Sequence, residues 1–116
     1  MTGVQTCALP ICKGAAARLA SVDMPKYEDN ETTFAELQAR IAKTVAFLET
    51  IKPEQLEGAE TRDISLTVGG RTLEFTGEQY LLSWVNPNVY FHVTTAYNIL
   101  RHNGVELSKR DYLGGN

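Results

Sequence analysis

Of the 116 residues in this sequence, His92 and His102 are the side chains best suited to proton or metal chemistry. An imidazole titrates near neutral pH and binds metals through either ring nitrogen. His92 falls in a helical pattern with Thr95, Ala96 and Ile99 on its face. That placement suits a ligand or general base turned into a bundle core. It suits still better a hydrogen-bonded core or interface histidine. His102 falls in the last turn before Asn103-Gly104, where a cationic ring meets the negative end of the helix dipole. Trp84, Tyr90, Phe91 and Tyr97 could line an apolar pocket, although aromatics at helical spacing more often fill a core. The candidate site is a pocket of His92, Trp84, Tyr90 and Tyr97, with no catalytic residue assigned and no metal site.

Other motifs are weaker. Glu28-Asp29-Asn30-Glu31 lacks the ligand order and the glycine of a calcium loop, so it reads as a solvated loop leading into a helix. Gly69-Gly70 stands far from any helix start and is not a phosphate loop. There is no G-x-S-x-G nucleophile elbow. The net charge of -3 argues against a nucleic-acid footprint, which needs a basic face. No apolar run approaches the roughly 20 residues that span a bilayer, so no membrane partner is expected. Cys7 to Ala20 faintly resembles a signal peptide but lacks a basic region ahead of its apolar stretch, and a cytoplasmic location is expected.

The two cysteines, Cys7 and Cys12, invite a metal or redox reading that the opening stretch removes. MTGVQTCALPIC carries no helix or strand period, and Pro10 stands just before an alanine-rich helical pattern. A back-translation of Met1–Ile11 that starts on GTG resembles, at every codon, a common short-read sequencing adapter. Residues 1–12 are therefore expected to be a non-native segment and its junction, and residues 13–116 the domain.

The elements that must carry any site follow from period and punctuation. Lys13–Ser21 reads as the end of a longer helix, and Val22–Glu31 as a loop. Thr33 to Ile51 is the clearest helix. Thr33 and Glu36 form a capping box, and Phe34, Leu37, Ile41, Val45, Leu48 and Ile51 make one apolar stripe. Between Asp63 and Phe75 the period changes to two around Gly69-Gly70, which predicts a hairpin with a type I′ turn. Thr76 and Gln79 form a second capping box. Asn86-Pro87 predicts a break or kink before a last helix from about Asn88 to His102, ended by Gly104 with Val105 closing the cap.

The stretches KYEDNETTFAEL, YFHVTTAY and ILRHNG resemble the uncharacterised DUF1993 family, a bacterial branch of the DinB/YfiT-like metalloenzyme superfamily. The resemblance covers nearly all of residues 13–116. It implies a mainly α fold: a partial four-helix bundle with a small β-hairpin at about 63–75, lacking its first helix and most of its second. It also implies a homodimer, as is common among relatives. In the wider superfamily three histidines hold a divalent metal, one on the second helix and two at H-x-x-x-H on a later one. Here Ala96 follows His92 by four, and the second-helix position falls on Ile11. The resemblance thus implies no metal in this chain and a divalent metal only in an intact relative. Two functions follow from it. The first is a non-catalytic module with a small-molecule pocket or a dimer-forming face. The alternative is a metal-dependent thiol or group transferase in full-length form. Stripes that pack on absent helices should leave about five large side chains uncovered, so the chain is expected to be aggregation-prone, loosely folded or rescued by self-association, a homodimer among the forms that could take.

Overall fold

The hairpin shows most directly how residue type becomes structure here. In the computed structural model, which describes residues 2–115, β1 (Asp63–Val68) pairs antiparallel with β2 (Arg71–Thr76). Gly69 and Gly70 both take positive φ, 56° and 77°, as the two central residues of a type I′ turn require. Register sets Ile64 opposite Phe75 and Leu66 opposite Leu73. Period two then turns that set to one side, and the polar residues between them stay in water.

Around the hairpin the chain is helical: α1 (Thr2–Ala20), α2 (Phe34–Glu49), a short α3 (Gly77–Gln79), α4 (Asn86–His102) and a last turn, α5 (Lys109–Tyr112). Two 3-10 turns, Pro53–Leu56 and Ala59–Thr61, lead from α2 to β1. α1 lies between α2 and α4, which scarcely touch each other. The core joins α1 to the hairpin and the helix after it: Ala15, Ile64, Tyr80 and Val85 are buried, with Ile11, Leu19, Phe75, Trp84 and Val89 packed against them. The fold is thus mainly α, packed helices with one two-stranded antiparallel hairpin.

Both capping boxes form. Thr33 Oγ1 accepts from the Glu36 N–H at 3.2 Å, and the Glu36 carboxylate accepts from the Thr33 N–H at 2.9 Å. Thr76 and Gln79 do the same at 3.3 and 3.0 Å. At the end of α4 the Val105 N–H reaches the Leu100 carbonyl and the Gly104 N–H reaches Arg101, with Gly104 left-handed at φ 90°. α1 ends in the same bonding pattern, but Ser21 holds the left-handed position at φ 53°.

Three features differ from the sequence expectation. First, helix α1 extends back to Thr2 through Pro10, over a stretch without helical period. Ala8, Leu9 and Ile11 are half-buried, so the contacts of a docked helix outweigh the one ladder bond that Pro10 removes. Second, the apolar stripe of α2 is only partly its buried face: of its residues Leu37 is buried and Leu48 and Ile51 half-buried. The side turned inward carries Leu37, Arg40 and Thr44, while Phe34 is 86% exposed and Ile41 and Val45 are also exposed.

Third, Asn86-Pro87 does not break the helix. Asn86 is helical, with φ -59° and ψ -49°, and a π-helical turn at Tyr80–Val85 joins α3 to α4. Pro87 lacks an N–H and crowds the preceding turn, and the wider π turn makes room for it. The Asn88 side-chain amide donates to the Trp84 carbonyl at 2.7 Å, satisfying a group at the disturbed turn. Tyr80 and Val85, five residues apart, would stand about 140° apart on a regular α-helix. The π turn lets both be buried.

Candidate functional site

The π turn also sets the geometry of a cavity of about 290 Å³ between α1, the Met24 loop and the hairpin. Tyr80 and Trp84 enter it from the π turn, Leu66 and Val68 from β1, and Ile11, Lys13 and Arg18 from α1. Tyr80 is 2% exposed, and its hydroxyl accepts from Arg18 Nη1 at 3.1 Å. Gly14, one turn before Arg18, leaves the space that the guanidinium occupies. Phe75 of β2 backs the aromatic wall, meeting Tyr80 and Trp84 each at 6.0 Å between ring centroids.

A second constellation pins the loop before α2. Arg40, only 5% exposed, donates to Asp29 at 2.9 Å, to Glu31 at 2.8 Å and to the Glu28 carbonyl at 2.8 Å. Burial works against its charge, and its hydrogen bonds to the Glu31 and Asp29 carboxylates, with their negative charges, outweigh it, raising its pKa. Three cations converge on one ring: Lys13 Nζ lies 4.1 Å from the Tyr27 centroid, Lys43 Nζ 4.2 Å and Arg40 Cζ 5.1 Å. Lys13 is 6% exposed, and burial, then Arg40 and Lys43, push its pKa down against the pull of Asp29. The acidic run is therefore more than a solvated loop: Asp29 and Glu31 are the counter-ions of a buried arginine.

The four residues of the predicted pocket do not line one cavity. Trp84 faces the hairpin and α1. Tyr97 faces α5, edge-on to Tyr112 at 6.3 Å. Tyr90 is 59% exposed. His92 is half-buried, with its ring edge-on to Phe91 at 5.3 Å. Cys7 is exposed and Cys12 half-buried, where desolvation raises the thiol pKa. Sequence reasoning missed Arg18, Tyr80 and Arg40. For Arg40 a signal existed, since it shares a helix face with Leu37 and Thr44. Arg18 in an alanine-rich run gave none.

These features define a helical bundle of the DinB type. A DinB family member from Shewanella denitrificans, known from a crystal structure, is 40% identical and superposes with a TM-score of 0.86 over 99% of this chain. The chain spans 65% of that protein's length. Residues 4–113 match the family described as Domain of unknown function (DUF1993), and the chain belongs to it. No curated protein matches.

The divalent metal of the wider superfamily does not fit the residues present. Among the described residues, no three His, Cys, Asp or Glu side chains come together to hold an ion. Ile11 packs on the apolar core cluster, and Ala96 stands one turn after His92. Among the described residues, no helix is long and apolar enough to cross a membrane.

Proposed function

We propose that this chain is a non-catalytic helical module that works by association, a second copy covering the outer faces of α2 and α4. The observation that carries this reading is the direction of those faces. On α2, Phe34, Ile41 and Val45 lie about 90° round the helix from Leu37, Arg40 and Thr44, which pack inward. On α4, Phe91 and Ile99 are exposed, about 160° and about 80° round from Val89, which packs on the core. A helix in a bundle touches two neighbours on two such faces. Here α1 fills one for each helix. Two aromatic rings of about 150–250 Å² each, with the aliphatic residues, leave on the order of 500 Å² of apolar surface uncovered. Twofold pairing of that surface reaches about 1,000 Å², the lower edge of a specific interface.

Light scattering on the eluting chain tests this directly. A defined dimer is expected, and Phe34→Asp with Phe91→Asp should give a monomer of unchanged helicity. A wild-type monomer with one cooperative thermal transition, or indefinite aggregation in place of a dimer, overturns the reading.

A further inference from the structure

We infer that the cavity between α1, the hairpin and the π turn binds a small organic acid, a carboxylate on a short apolar body. The inference stands on the cavity's own charges and is independent of the association surface.

The cavity is lined by Arg18, by Lys13, whose ammonium lies 4.1 Å from the Tyr27 centroid, and by no carboxylate. Among the described residues, both ion pairs are made by Arg40, so Arg18 has no acidic partner within 4 Å. Its hydrogen bond is to a neutral hydroxyl, that of Tyr80. A guanidinium offers five N–H donors in a planar fork that matches a carboxylate in bidentate fashion. A cation half-withdrawn from water without a counter-ion is costly, and an incoming anion relieves that cost.

The rest of the lining selects the body of the ligand. Leu66, Val68, Met24 and Trp84 are apolar or aromatic. Such walls favour a singly charged acid with a hydrocarbon tail over phosphate, whose hydration they cannot replace. The volume of about 290 Å³ lies at the small end for ligand sites, so the tail is short. Most of these residues lie beyond residue 12, and the charge argument does not involve Pro10 or Ile11.

Trp84 is the single tryptophan of the chain and lines the cavity, which makes it a built-in reporter. Titration with hexanoate should change its fluorescence saturably. Hexanol and hexylamine should bind at least about tenfold more weakly, a difference set by the charge alone. Arg18→Gln should weaken hexanoate by about tenfold or more, and Arg18→Lys should keep part of the affinity. Val68→Phe, at the exposed rim, should block the tail while leaving the Arg18–Tyr80 bond in place. It decides the matter if Arg18→Gln fails to fold. Binding should persist in the Phe34→Asp, Phe91→Asp protein, which separates this site from association. No saturable change with hexanoate, equal binding of hexanol, or unchanged binding by folded Arg18→Gln or Val68→Phe protein overturns the proposal.

Discussion

The two sides of α1 are held by different forces. Toward the hairpin, Ala15 meets Ile64, Tyr80 and Val85 in an apolar cluster backed by Phe75 and Trp84. Toward α2, the buried groups are Lys13, Arg40 and Thr44 with Leu37, while Phe34, Ile41 and Val45 of α2 look outward. One side follows the ordinary rule of burial. The other seals a charged network under a helix whose greasy stripe is left in water. A buried ion network gives little net stability compared with apolar packing, yet it fixes one geometry and fails badly when one partner is lost. The α2 side should therefore be the less stable half, and the more sensitive to charge and pH.

The largest effect is expected on the apolar side. Tyr80→Ala removes a ring only 2% exposed, its contact with Phe75 and the Arg18 partner, and should cost about 3–5 kcal/mol in urea unfolding. A loss under about 1 kcal/mol would erase the contrast between the halves. Arg40→Met comes next, at about 3 kcal/mol, because Glu31 keeps a charge buried without its partner. Adding Glu31→Met should recover much of that loss. If the double variant is no better than the single one, the network contributes more than geometry.

The smallest effect is the sharpest. The carboxyl of Glu36 is held below its ordinary 4.5 by the N–H groups of Thr32 and Thr33. Its stabilising contribution is complete above 4.5 and drains away as pH falls toward the lowered value. Asp111 adds to the same acid limb, since the Ser108 N–H lowers its pKa. Lys13 runs the other way. Its folded pKa lies below 10.5, so it destabilises the fold while charged, and stability rises as pH climbs through the folded value toward 10.5. Unfolding curves against pH should lose the alkaline rise in Lys13→Met, and the acid limb should shrink in Glu36→Gln. An alkaline rise that survives in Lys13→Met assigns it to another group.

The legible parts of the fold are those decided within a few residues. Thr33 with Glu36, Thr76 with Gln79, Gly69-Gly70 and Gly104 each act over one turn, and each formed where the sequence puts it. Asn86-Pro87 was misleading because the rule it invokes applies to a helix that can stop there. Contacts of Tyr80 and Val85 with the hairpin hold this one together through a π turn. The candidate site was less legible still. Trp84 reached a cavity, but with Arg18 and Tyr80 for company, and Tyr80 lies sixty-two residues from Arg18.

By itself the sequence determined the family, the helical class, the hairpin turn and the caps at Thr33, Thr76 and Gly104, because motif, period and capping are local properties. Tertiary structure decided which face of α2 is buried, how far back α1 extends, and which cations meet the cavity. Those depend on which surfaces compete for the same neighbour. On α2 the competition was between the Phe34 stripe and the Arg40 face, and α1 can cover only one of them.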